Sequence, residues 1–144
     1  ADWAVQAFAD HTVEIEVHAQ APLTGGPLPR QRWGFVGGSG TIQTLEFAEF
    51  YGDHVLFVES KYIIPMPQRL ALPVLGAPDL ELVHGTGMAW TEATAERRLR
   101  QEIGARLQFF SLYFRYMVEP SDPSNADLDI GLGWPFDPPL PWRR

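Results

Sequence analysis

TEATAERRLRQEIGARLQFFSLYFRYMV, Thr91 to Val118, is the stretch on which the reading of the whole chain turns. Ala95, Leu99, Ile103, Leu107, Phe110, Phe114 and Met117 recur there at spacings of four, four, four, three, four and three. That is the period of a helix with one face against a core. Arg97, Gln101, Gly104, Gln108, Ser111 and Arg115 form the opposite, wetter stripe. Thr91 suits an N-cap, and Glu92 and Glu96 suit the positive end of a helix dipole. Glu96–Arg100, Arg98–Glu102 and Glu102–Arg106 add i,i+4 pairs. The spacing predicts one long amphipathic helix over 91–118, at the cost of a mid-helix Gly104 of about 1 kcal/mol. The alternative ends the helix at Gly104 and makes Leu107–Val118 a strand, with Phe110, Leu112, Phe114, Tyr116 and Val118 on one face.

Phe109, Leu112, Tyr113 and Tyr116 flank the main stripe, so the second half of this helix is apolar over most of its circumference. A helix of that kind is central, covered by a sheet on one side. Its aromatics read as core, or else as a subunit contact or a ligand pocket. It is no membrane span, because Gln108, Ser111 and Arg115 interrupt a short apolar run.

Working outward, 144 residues suffice for one domain with its own core. There is no cysteine, which excludes disulfides, thiol nucleophiles and cysteine-ligated metals. A net charge of −7 argues against general nucleic-acid binding. No signal peptide or transmembrane segment is visible. Nothing in the composition fixes a compartment.

Residues 1–10 read as an arm that docks by Trp3 and Phe8. Thr12–His18 alternates Val13, Ile15 and Val17 with Glu14, Glu16 and His18, a half-buried strand. Three ligands spaced two apart on one strand do not close round an ion, so its polar face reads as solvated. Ala19–Gln31 is a long Gly/Pro loop. Arg32–Val36 is a short strand. Asp79–His84 is another, and Pro65, Pro67 and Pro73 make the stretch before it an edge or connection. Asp122, Asn125, Asp127 and Asp129 could offer oxygen ligands but lack the glycine and terminal glutamate of a calcium loop, and no metal site is expected.

Gly37-Gly38-Ser39-Gly40-Thr41 follows a short apolar strand and precedes IQTLEFAEFY and HVLFVES. In that order the glycines would admit a pyrophosphate and Glu59 would hold a ribose. Val36–Ser60 resembles the nicotinamide-binding segment of flavoprotein disulfide reductases, which implies a dinucleotide held at Gly37, Gly38 and Gly40. It departs from that pattern in placing Gln43 at the third glycine and in lacking a redox cysteine pair. The competing reading, which we prefer, is a hairpin: Leu45–Tyr51 outward, a turn at Tyr51-Gly52-Asp53-His54, and Val55–Ile64 returning. No cofactor is then required.

The histidines His11, His18, His54 and His84 are scattered, and no HExxH, GxSxG or Walker pattern occurs. No catalytic residue is nominated. The expectation is an α+β fold: an antiparallel sheet of about five or six strands packed on the long helix, within a single domain over 1–118. Residues 119–144 would be an extended proline-rich tail, whose Trp134, Phe136 and Trp142 lie across a surface. The expected role is a non-catalytic assembly subunit, forming a homo-oligomer or docking on a partner protein through Trp3, Phe8, Trp134, Phe136 and Trp142. The alternative is a small-molecule pocket between sheet and helix, lined by Phe109, Tyr113, Tyr116, Glu46 and Glu59.

Overall fold

The structure is a computed structural model that describes residues 1–23, 26, 28–38, 40–91 and 97–132. Nine strands account for nearly all of its regular structure. β1 (Asp2–Gln6), β2 (Thr12–Gln20), β5 (His54–Pro65), β6 (Asp79–Trp90), β7 (Arg100–Gln108), β8 (Tyr113–Glu119) and β9 (Asp122–Gly131) form one sheet in that order. Every neighbouring pair is antiparallel. β3 (Gly34–Val36) and β4 (Phe50–Gly52) make a second, two-stranded sheet inserted between β2 and β5.

The helix expected over 91–118 is therefore corrected. Among the described residues the only helices are single 3-10 turns at Arg30–Arg32 and Gln68–Leu70, and the fold is two sheets of seven and two strands. Most of the expected helix is the β7–β8 hairpin, paired from Ile103↔Val118 to Gln108↔Tyr113; residues 92–96 lie outside the described residues. The physical reason is arithmetic. A spacing of four is a near-whole turn of helix, but it is also two full repeats of a strand, so Leu99, Ile103 and Leu107 fit either. Only the two spacings of three discriminate. One spans the turn, where the Phe109 amide donates to the Leu112 carbonyl at 2.7 Å. The other joins Phe114 to Met117, which sit on opposite faces of β8.

Gly104, awkward in a helix, is required in the sheet. It pairs with Met117, and a Cβ there would meet Met117 Sδ at 2.5 Å and the Tyr116 carbonyl oxygen closer still. The alternating strands read from sequence do form. Thr12–His18 extends to β2, and Asp79–His84 extends to Trp90. The arm at 1–10 contains an edge strand, Trp3 pairing with Ile15. Asp122–Gly131, expected within the tail, is the last strand of the sheet.

The expected hairpin at 45–64 is only half present. β5 forms, but β4 pairs with β3 rather than with β5, and the chain crosses between sheets at the buried Asp53. The small sheet and the loop 37–49 fold over one end of one face of the large sheet. Val36, Ile42, Leu45, Val55, Phe57 and Ala89 make the apolar core there, with Phe50 packed against it. Gly87 lets this cover approach, since a Cβ would meet Val36, Phe57 and Ile42 at 3.1 to 3.4 Å.

Candidate functional site

Because neighbouring strands are in register, each residue can be placed on one of two faces. The first face carries Trp3 and Val5 of β1, Val13, Ile15 and Val17 of β2, and Leu56, Val58, Tyr62 and Ile64 of β5. It continues through Leu80 and Leu82, then Ile103 and Leu107, then Phe114 and Tyr116, to Leu128 and Ile130. Between them lie Val118 and otherwise only Ala, Ser, Thr, Met, His and Gln in the paired registers, with no Asp, Glu, Lys or Arg. None of these residues is buried. Leu82 is 46% exposed, Tyr116 51% and Leu128 69%.

The second face carries the charges: Glu14 and Glu16, Glu59 and Lys61, Glu81, Glu102 and Arg106, Arg115 and Glu119, and Asp127 and Asp129. Here the side chains of β6 to β8 are the best covered, while Glu16 stays 40% exposed. Glu102 is wholly buried, and its Oε2 accepts the amides of Gln43 at 2.8 Å and Thr44 at 3.1 Å, tying the 37–49 loop to β7. Its Oε1 has no hydrogen-bond partner. Burial holds the Glu102 carboxyl above the usual carboxylate range, against the lowering by those two amides.

Glu119 is buried as well but sits among donors. It accepts from Ser121 Oγ at 2.7 Å, Asn125 Nδ2 at 3.0 Å and Arg100 Nη1 at 2.7 Å. The Ser121 hydrogen bond, with those from Asn125 and Arg100, brings its pKa below the ordinary value despite burial. The same residue type on one face is thus set in opposite directions by donor supply.

The same face holds a polar cavity of about 230 Å³, lined by Glu16, Glu59, Lys61, Glu81, Arg106 and Arg115, with Gly40 and Gln43 of the loop. Lys61 pairs with Glu59 at 2.7 Å and Arg115 with Asp129 at 2.7 Å, whereas Arg106 reaches Glu81 only at 3.6 Å. The Tyr113 ring supports both guanidinium groups, 4.6 Å from Arg106 and 5.6 Å from Arg115. Burial lowers the affinity of Lys61 for its proton, but Glu59, Glu81 and Glu16 more than offset this and the pKa lies above the ordinary value. Burial raises Glu81 above its usual range, against Arg106 and Lys61.

The residues expected to line a pocket are scattered. Glu59 lines this cavity and Tyr113 stacks behind it. Tyr116 points to the apolar face, Phe109 is buried in the β7–β8 turn against Phe114, and Glu46 lies on the loop near Glu49. Of the expected docking aromatics, Trp3 is 56% and Phe8 82% exposed; Trp134, Phe136 and Trp142 lie outside the described residues. Gly37, Gly38 and Gly40 adopt positive φ in a loop that continues through turns to β4. No helix follows them to face a pyrophosphate, as the strand–turn–helix reading required.

Sequence reasoning paired Glu102 with Arg106 but missed that Glu81 and Arg115 flank Arg106 on the neighbouring strands. The signal was the run of even-numbered charges on β7, Glu102 and Arg106, which the helical reading assigned to surface ion pairs. A second, more open cavity lies between the small sheet and Ala89. It is lined by Arg30, Trp33, Phe35, Phe50 and Tyr51, with Trp33 and Tyr51 stacked at 5.9 Å.

Among the described residues there is no cluster of His, Cys, Asp or Glu able to hold a metal ion, and no helix long and apolar enough to cross a membrane. Compared with models of known families, with characterised proteins and with solved structures, the chain matches none.

Proposed function

We propose that this chain is a non-catalytic assembly subunit whose apolar sheet face packs against the same face of a second copy. The observation that carries this reading is a complete sheet face, from Trp3 to Ile130, that is exposed and holds no charged residue. Monomeric proteins rarely leave contiguous apolar patches of more than a few hundred Å².

Three features favour a second copy as the occupant. Seven strands spaced about 4.8 Å apart and averaging roughly nine residues give a face of the order of 800 Å², the area each partner contributes to a standard interface. Two such sheets pack face to face about 10 Å apart without burying a charge. The net charge of −7 per copy is carried elsewhere, so two copies meet on the side where repulsion is least.

Sedimentation equilibrium of the full chain and of a version ending at Leu132 tests this. Dimers of both at micromolar concentration are the expected result. A full-length monomer whose truncation self-associates would instead make residues 133–144 the cover and overturn the proposal, and monomers of both would overturn it as well.

A further inference from the structure

The two edges of the large sheet are built differently. β9, at one edge, carries Pro123 and the aspartates Asp122, Asp127 and Asp129, and proline and charge are what keep an edge strand from pairing with another chain. β1, at the other edge, reads DWAVQ and is exposed along its whole length. It has no proline, and its one charge, Asp2, sits at its end.

The ladder fixes which main-chain groups β1 turns outward. The Ala1 ammonium donates to the Val17 carbonyl at 2.8 Å, and the Val17 amide donates back to Ala1 at 2.9 Å. At the far end the Ala7 amide donates to the His11 carbonyl at 2.8 Å. Bonded and non-bonded pairs alternate in an antiparallel ladder, so Trp3 and Val5 also bond to β2, facing Ile15 and Val13. The N–H and C=O groups of the even-numbered residues, with Ala4 at the centre, therefore point to the side where no described strand lies.

We propose that this edge pairs with β1 of a second copy, antiparallel about a twofold axis at Ala4. Outward groups then meet outward groups: Ala4 exchanges bonds with its counterpart, and Asp2 of each copy exchanges bonds with Gln6 of the other. Trp3 of each copy faces Val5 of the other as a close non-bonded pair, an aromatic on a β-branched side chain. No charge meets a like charge. Moving the axis to Trp3 or Val5 loses one of the three bonded pairs, and moving it to Asp2 opposes two carboxylates. Pairing β9 with β9 sets aspartates against aspartates, and pairing β1 with β9 brings Asp2 to the side that carries Asp127 and Asp129. The reading rests on rim groups and not on the face-to-face association, although Trp3 and Val5 would carry the apolar face across both copies. A pairing of two five-residue strands is weak, so it forms above micromolar concentration and is best trapped covalently.

The chain has no cysteine, so single cysteines read this register directly in the full chain. The side chains of Asp2, Ala4 and Gln6 lie on the charged face, away from the proposed face contact. Ala4→Cys sets two thiols across the axis with Cα atoms about 5.5 Å apart, within disulfide range. Asp2→Cys and Gln6→Cys each stand roughly 14 Å from their own counterpart and link only when the two proteins are mixed. With dissolved oxygen as oxidant at sub-millimolar concentration, Ala4→Cys and the mixture should form linked dimers roughly 10-fold faster than Asp2→Cys alone or Asp127→Cys on the other edge. Adding Ala4→Pro to both members of the mixture removes an outward N–H only and should abolish the difference. Adding Leu82→Arg should leave it unchanged, so failure of the face-to-face association does not imitate failure here. Linkage of Asp2→Cys alone as fast as the mixture, of Ala4→Cys no faster than Asp127→Cys, insensitivity to Ala4→Pro, or loss with Leu82→Arg would each overturn the proposal.

Discussion

Glu81 and Leu82 are adjacent on β6, yet Glu81 is 9% exposed and Leu82 46%. The central strands repeat this contrast, whereas on β1 and β2 Asp2 and Glu16 are as exposed as Trp3 and Ile15. The sheet's charged face is roofed at one end by the β3–β4 sheet and the 37–49 loop, and its apolar face is open from β1 to β9. In a self-sufficient domain the apolar face would be the covered one, because burial of apolar area is the main favourable term in folding. The charged face is held together by specific bonds: Glu102 to two loop amides, Glu119 to three donors, and Arg115 to Asp129. The apolar face has few such bonds, among them Tyr62 OH to His11 Nδ1 at 2.6 Å, and offers mainly area. One face fixes positions through directed bonds, and the other is the one the proposed association would cover.

The largest effect that would break this comparison is a charge placed at the centre of the open face. Leu82→Arg puts an unpaired cation into a face-to-face dimer, where burying it costs about 3–5 kcal/mol. The dimer dissociation constant should rise by at least 100-fold in sedimentation equilibrium, with circular dichroism unchanged because the monomer exposes the site. Asp127→Asn, on the other face, should leave the dimer as it is. A Leu82→Arg protein that still dimerises would show that the open face is not the contact.

Next in size is the seam between β7 and β8, which serves both faces. Gly104→Val drives a side chain into Met117 and the Tyr116 backbone. Overpacking of this kind costs about 2–3 kcal/mol, read as a lower midpoint in urea unfolding. A variant as stable as the parent would mean that the β7–β8 register is not as described.

Glu119 gives a smaller effect with a defined pH signature. Glu119→Gln removes a charged acceptor from Arg100, Ser121 and Asn125, at about 1–2 kcal/mol near neutral pH. The folded carboxyl lies below the ordinary value, so its stabilisation is present above the unfolded glutamate range, roughly pH 4.3. It is lost as pH falls through the folded value. The gap between parent and variant should therefore close on acidification, and a gap that widened would reverse the assignment.

Much of the sheet was legible in the sequence. Val13, Ile15 and Val17 against Glu14, Glu16 and His18 mark β2 without ambiguity, and Leu80, Glu81, Leu82 and Val83 begin β6. The pattern fails beyond His84 because Gly85 and Gly87 stand where bulk would strike Glu102 and the small sheet. It fails at 91–118 because charges spaced by four satisfy a helix surface and a strand face equally. The cavity was not legible at all. Glu16, Glu59, Glu81, Arg106 and Arg115 come from five strands, and only the register brings them together. Charges that alternate with apolar residues read as solvated, and the inference inverts when the apolar side is the open one.

Glu102→Gln is the finest probe of the covered face, because its effect on stability is small and its sign runs against intuition. A glutamine amide oxygen can still accept from Gln43 and Thr44, so the loop remains tied to β7, and no charge is left in a site that burial disfavours. The folded carboxyl of Glu102 lies above its ordinary value. Between roughly pH 4.3 and that raised value the folded state holds more protons than the unfolded, so the parent loses stability as pH rises through this window. The variant lacks that loss. Thermal unfolding followed from pH 4 to pH 8 should show a flatter profile for Glu102→Gln and stability at pH 7 equal to or slightly above the parent. A clear loss at pH 7 would mean that the ionised carboxylate itself holds the loop. Its unpaired Oε1 would then have a partner that the described residues do not supply.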